Sequence, residues 1–170
     1  MQIKMRIFQW FVLISLFLSL GSACYSLRGI SISPNVQTFY VANFQNRTVS
    51  GDPAMPQRFT EKLKDKIRIE SRLTYNDVKP DVEFNGSMVD FTVSSVAPQP
   101  GEQSAINRLT MAFQVNFINN QDTTANFRQN FSFFQDYPGS TNLLSVQDQL
   151  TEAIMNQLTE DIFNKAFANW

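Results

Sequence analysis

Between Leu109 and Phe117 every second residue is apolar: Leu109, Met111, Phe113, Val115 and Phe117 alternate with Thr110, Ala112, Gln114 and Asn116. Successive side chains of a β-strand point to opposite faces, so this run has one face for a core and one for water. A helix is excluded, because its apolar side repeats every three to four residues. A turn is expected at Asn119 to Thr123. Beyond it Phe127, Phe131 and Phe133 continue the pattern, with Arg128, Asn130 and Ser132 opposite. The rest of the chain must therefore supply a cover for the apolar side of an antiparallel pair.

Two segments have the right form. From Asp52 to about Arg72, Met55, Phe59, Leu63 and Ile67 recur every four residues and make one helical stripe. Asp52 is a suitable cap, and Pro53 is tolerated in a first turn. Arg58, Lys62 and Lys66 flank the stripe on one side, and Lys64, Arg68 and Arg72 on the other. These cations read either as long stems covering the core edge or as a basic flank for an anionic partner. The second segment is Asn142 to Trp170, where Val146, Leu150, Ile154, Leu158, Ile162 and Ala166 form a ridge widened by Met155, Phe163 and Phe167. Ser145 with Asp148 resembles a capping box.

Two further strands complete the pattern. Val36 to Phe44 has apolar residues on both faces, as an interior strand does. Thr74 to Val96 contains another, whose apolar parity changes from Val82 and Phe84 to Val89, Phe91 and Val93. Gly86 lies near the change, which predicts a β-bulge around it. Ala97 to Asn107, with Pro98, Pro100 and Gly101, is a long hairpin loop. The order is β-α-β-β-β-α. The expected fold class is α+β, two helices packed on one face of a four-stranded mixed sheet, with the first strand, helix and second strand forming a right-handed crossover if they share that sheet. The polar face of the third and fourth strands is left bare, either solvated or a surface for a partner.

At the start of the chain, Lys4 and Arg6 precede an apolar run of fourteen residues, Ile7 to Leu20. That is short of the roughly 20 that span a bilayer. Leu20-Gly21-Ser22-Ala23-Cys24 follows and contains the sole cysteine. The pattern resembles a bacterial lipobox, with Gly21 where that motif prefers a leucine-like residue. Residues 1–23 are therefore expected to be a lipoprotein signal peptide, Cys24 the lipidated first residue of the mature chain, and residues 24–35 a tether. Residues 36–170 are expected to form a single domain. The mature chain has 147 residues and a net charge of −3, since Lys4 and Arg6 leave with the signal. It has no histidine and no second cysteine. That excludes a Ser-His-Asp or Cys-His catalytic system and argues against zinc, haem or iron–sulfur cofactors. No cofactor of any kind is expected. The six scattered glycines form no phosphate loop, and the charge balance argues against nucleic acid as a partner.

The lipobox together with Val41-Ala42-Asn43-Phe44-Gln45-Asn46-Arg47-Thr48, Lys79-Pro80-Asp81-Val82-Glu83-Phe84-Asn85-Gly86, Asn107-Arg108-Leu109-Thr110-Met111 and Asp161-Ile162-Phe163-Asn164-Lys165 resembles the lipopolysaccharide-assembly lipoprotein family, LptE. The resemblance extends over the mature chain. It implies a non-enzymatic protein anchored on the periplasmic side of the outer membrane. Such a protein plugs and helps assemble an LptD-like β-barrel partner and assists delivery of lipopolysaccharide to the cell surface. Some members of the family bind lipopolysaccharide through basic residues near the sheet ends. Arg108, where the long loop meets the third strand, and Arg47, after the first, are the candidates here.

Two other functions compete. The Phe-x-Asn-x-Thr strand signature also occurs in periplasmic activators of peptidoglycan synthases. However, a tether from Tyr25 to Asn35 reaches only about 40 Å at roughly 3.5 Å per residue. A carboxylate hydrolase would have to draw on Asp77, Asp81, Glu83 and Asp90, and the parity change at Gly86 separates their faces.

Overall fold

The computed structural model describes residues 32–97 and 105–168. The expected signal peptide, Cys24, the tether up to residue 31, residues 98–104 of the long loop, and Trp170 lie outside the described residues. In chain order the elements are β1 (Thr38–Val41), β2 (Gln45–Asn46), α1 (Met55–Glu70), β3 (Thr74–Tyr75), β4 (Val82–Val96), β5 (Ile106–Asn119), a 3₁₀ turn (Thr123–Ala125), β6 (Phe127–Pro138) and α2 (Leu143–Phe167). The sheet order is β3-β1-β4-β5-β6, with β2 also paired to β4. β1, β2 and β3 pair in parallel with their neighbours, while β4, β5 and β6 form an antiparallel meander. The α+β class and the mixed sheet hold. The strand count is six rather than four, for two local reasons.

First, the expected strand at Val36 to Phe44 breaks. The Phe44 N–H turns inward and donates to the Thr60 hydroxyl at 3.0 Å instead of to β4. Pairing resumes when the Arg47 N–H reaches the Met88 carbonyl at 3.0 Å. The Phe44 ring takes up the space in front of Gly86, where an added Cβ would lie 2.7 Å from the ring and 2.0 Å from the Gln114 carbonyl oxygen. Gly86 is therefore required for close approach. Second, Thr74 and Tyr75 do not belong to β4 but form the separate strand β3 beside β1. The bulge lies not at Gly86 but at Val89, where the β4–β5 register shifts between Met88 and Asp90. It places Phe84, Met88 and Phe91 all on the core side, opposite Phe117, Phe113 and Met111.

Both helices cover that side. Phe59 of α1 stacks on Phe113 at 3.8 Å, and Phe167 of α2 meets Phe84 edge-on at 5.9 Å. The apolar stripe of α1 (Met55, Phe59, Leu63, Ile67) and the ridge of α2 (Leu150, Ile154, Leu158, Ile162) are buried as their spacing demands. The caps differ from expectation. The N-cap of α1 is Ala54, with Pro56 in the first turn, and Asp52 instead accepts from the Ala54 N–H at 2.9 Å. The cap of α2 is Asn142, which accepts from the Leu144 N–H at 2.9 Å, so the Ser145–Asp148 pair does not serve as the box.

The basic flank of α1 faces α2. Arg58 pairs with Asp148 at 3.2 Å, Lys62 with Glu152 at 2.5 Å, and Lys66 with Glu160. Partners rise together along both helices, so the helices run in the same direction. On the other flank Lys64 and Arg68 pair with Glu61 and Asp65 of their own helix. Arg72 donates to the carbonyls of Ile32 and Ser33 at 3.2 and 2.7 Å. These cations hold the fold's own parts together, which favours the covering role over a docking flank.

Candidate functional site

The opposite face of the sheet is covered by nothing among the described residues. Its central rows, fixed by register, are Asn85–Asn116–Arg128, Ser87–Gln114–Asn130, Asp90–Ala112–Ser132 and Thr92–Thr110–Phe134. The polar positions read from the sequence (Thr110, Gln114, Asn116, Arg128, Asn130, Ser132) therefore do share one face. Side-chain amides dominate it. Asn116 donates to Asn85 at 3.3 Å and Gln114 to Asn130 at 3.3 Å. The Arg128 guanidinium donates to the Gln114 amide oxygen at 2.6 Å.

A recess of about 350 Å³ opens in this face where β1 gives way to β2. The strand break supplies one wall, through Asn43, Gln45 and Arg47. The sheet supplies the floor and far wall, through Asn85, Asn116 and Arg128. No aspartate or glutamate lines it. The recess thus depends on the inward turn of Phe44, which opens the edge of the sheet, and on Gly86, whose missing side chain allows that turn.

The two arginine candidates occupy different surroundings. Arg47 lines the recess and, among the described residues, has no carboxylate partner. Arg108 lies six positions along β5 from Gln114, roughly 20 Å away at a strand rise of about 3.3 Å. It stands directly across from Asp136 on β6. Nε and Nη2 donate to the two Asp136 carboxylate oxygens at 2.7 and 2.9 Å, and the guanidinium stacks on Phe134 at 3.6 Å. The Arg108 hydrogen bonds hold the Asp136 carboxyl below the usual carboxylate range. The structure does not bring Arg47 and Arg108 together. It brings Arg47 and Arg128 together. In the sequence Arg128 was only one polar residue of an alternating strand, and no local signal linked it to a segment eighty residues earlier.

The acidic residues considered for hydrolysis do not converge. Asp81 is a structural anchor. Its carboxylate accepts from the Gln37 and Thr38 N–H groups at 3.0 and 2.9 Å, from the Thr38 hydroxyl at 2.8 Å and from the Gln121 amide at 2.6 Å. These bonds, the Gln37 N–H first among them, lower its pKa to about 2. Glu83 accepts from Asn120; the bulge returns Asp90 to the same polar face, but opposite Ala112 where Glu83 is opposite Ile118, six positions or roughly 20 Å along β5. Among the described residues no cluster of three or more His, Cys, Asp or Glu side chains is placed to hold a metal ion. No helix among them is long and apolar enough to cross a membrane.

A family model described as LptE, lipopolysaccharide-assembly, matches residues 36–166. No curated protein matches in sequence. Among solved structures, the uncharacterized lipoprotein B of Nitrosomonas europaea has a TM-score of 0.50 at 10% identity, covering 82% of this chain and 88% of its own. A hypothetical protein of Chlamydia trachomatis also has a TM-score of 0.50, at 7% identity, covering 79% and 99%. The rare lipoprotein B of Shewanella oneidensis has a TM-score of 0.46 at 8% identity, covering 74% and 89%. At these identities the likeness is one of fold.

Proposed function

The chain belongs to the LptE lipopolysaccharide-assembly family, and from that premise we propose that it is an outer-membrane lipoprotein that plugs an LptD-like β-barrel and assists delivery of lipopolysaccharide through it. Cys24 is its lipid-bearing residue and residues 24–35 its tether, with the folded part on the periplasmic side. An acyl chain contributes about 0.8 kcal/mol per buried CH₂, so more than one chain gives a stable hold. No catalytic step is assigned to it. The observation that supports the plug most directly is the uncovered sheet face. Its rows, mostly Asn, Gln, Ser and Thr, suit the polar interior of a large barrel. Arg47 is the better-placed contact for an acidic glycolipid. Arg108 makes such a contact only by giving up Asp136.

Affinity purification of the tagged protein from detergent-solubilised outer membranes tests this, with Cys24→Ala in parallel. The expected result is one large β-barrel protein in near-equal amount, retained by Cys24→Ala when that variant is supplied to detergent extracts. Recovery of a peptidoglycan synthase with no barrel overturns the proposal.

A further inference from the structure

We infer that the recess between β2 and the polar sheet face is an oxyanion site, in which Arg47 and Arg128 together take a phosphoryl or carboxylate group carried on a sugar. The inference deepens the function proposed above and rests on it for the identity of the ligand, though not for the binding chemistry.

In a chain whose mature net charge is −3, most of the basic side chains already have an acidic or carbonyl partner. Arg58, Lys62, Lys64, Lys66 and Arg68 are in ion pairs on the helices. Arg108 is neutralised by Asp136, and Arg72 is held by backbone carbonyls. Arg47 and Arg128 have no carboxylate partner among the described residues, and both line the same recess. An exposed arginine alone is ordinary. Two that converge on one concavity, with only uncharged side chains as the rest of its lining, leave a local positive field in an otherwise acidic molecule.

The amides also act on Arg128. Gln114 accepts from its guanidinium and passes the polarisation on by donating to Asn130. This fixes the direction of the group without cancelling its charge, unlike the carboxylate that holds Arg108. Guanidinium donors match the geometry of phosphate and carboxylate, and charge-assisted hydrogen bonds to them are the strong ones. The remaining wall groups, Asn43, Gln45, Asn85 and Asn116, are the donors and acceptors that sugar hydroxyls require. The recess volume of about 350 Å³ falls at the low end of small-ligand pockets. It suits a single phosphorylated or acidic sugar unit and not an extended chain.

The test uses the mature protein labelled with ¹⁵N at arginine, so that each guanidinium Nε–H is observed directly. Glucose 6-phosphate is titrated against glucose, and purified lipopolysaccharide micelles against the same material stripped of phosphate. The expected result is movement of the Arg47 and Arg128 signals by the phosphorylated form of each pair only. Arg47→Gln and Arg128→Gln should each weaken binding by about tenfold, the size of one charge-assisted hydrogen bond. Lys79→Gln, which removes another cation without a carboxylate partner but lies outside the recess, should leave it unchanged. Both arginines are exposed, so the variants keep the fold, which far-ultraviolet circular dichroism verifies.

Binding of the free sugar phosphate without that of the micelles retains the oxyanion site and assigns it a soluble source, against the lipopolysaccharide reading. Loss of barrel co-purification with the titrations intact removes the plug and leaves the site. Stationary arginine signals in both titrations, or equal weakening by Lys79→Gln, overturn the inference.

Discussion

Replacing Asp81 by Asn should destabilise the protein in a way that depends on pH. The carboxylate ties the loop before β4 to the start of β1 and to the β5–β6 connection, through four hydrogen bonds of 2.6 to 3.0 Å. Ionised, it accepts at both oxygens, whereas protonation turns one oxygen into a donor and weakens the other as an acceptor, and the folded state lowers its pKa from 3.8 to about 2. A depressed carboxylate pKa contributes stability that is fully present above the unfolded value and is lost as pH falls through the folded one. At about 1.36 kcal/mol per unit the shift corresponds to roughly 2.5 kcal/mol. The side chain is partly exposed, and solvent screening reduces the expected contribution to about 1–1.5 kcal/mol. Urea denaturation followed by circular dichroism between about pH 7 and pH 2 measures it. The gap between Asp81→Asn and the parent should be constant at neutral pH and narrow by that amount from about pH 4 downward. A gap of the same size at every pH would mean that the ionised carboxylate is not what the folded state stabilises.

Other substitutions probe the strand break and the core. Thr60→Val removes the acceptor of the Phe44 N–H and leaves a buried donor unpaired. It should cost about 1–3 kcal/mol in urea midpoint analysis, with Thr60→Ser close to the parent. Gly86→Ala forces a methyl group to within 2.0 Å of the Gln114 carbonyl. Overpacking of this kind costs about 1–3 kcal/mol, and exchange of the Arg47 amide should speed up as β2 lifts from β4. Phe59→Ala empties the stack on Phe113 and should lower stability by about 3–5 kcal/mol. Arg58→Ala breaks an exposed pair with Asp148 and should change stability by no more than about 1 kcal/mol, with a smaller effect at high salt.

The alternating residues of β5 and β6 already fix the two faces of the sheet in the sequence, and the four-residue spacing of Met55, Phe59, Leu63 and Ile67 fixes the buried side of α1. The sites of irregularity were less legible, because each depends on a tertiary contact. Phe44 fits the expected strand by composition, and only the Thr60 hydroxyl and the gap over Gly86 draw it out of register. The parity change shows that β4 is bulged, and Gly86 is the bulge-prone residue nearby, yet Val89 is the one displaced. Register carries the same lesson. A turn at Asn119 to Thr123 would set Arg108 opposite Phe134. The connection instead runs on through the 3₁₀ turn to Asn126, so Asp136 comes opposite and takes up the charge. Helix faces told the same way only half the story: the cations of α1 were visible, but not that Asp148, Glu152 and Glu160 would come alongside. The recess combines these effects, since Arg47 follows the break and Arg128 follows the turn.

The central claim is that the polar sheet face is the surface presented to the barrel wall. Site-specific photo-crosslinking in cells tests it directly, with a photoreactive residue at Thr92 or Ser132 on that face and at Gln57 or Gln149 on the helical side. All four positions are exposed. One large outer-membrane β-barrel protein should be captured from Thr92 and Ser132 and not from Gln57 or Gln149. Capture of that barrel from the helical side, with the sheet face silent, would contradict the claim.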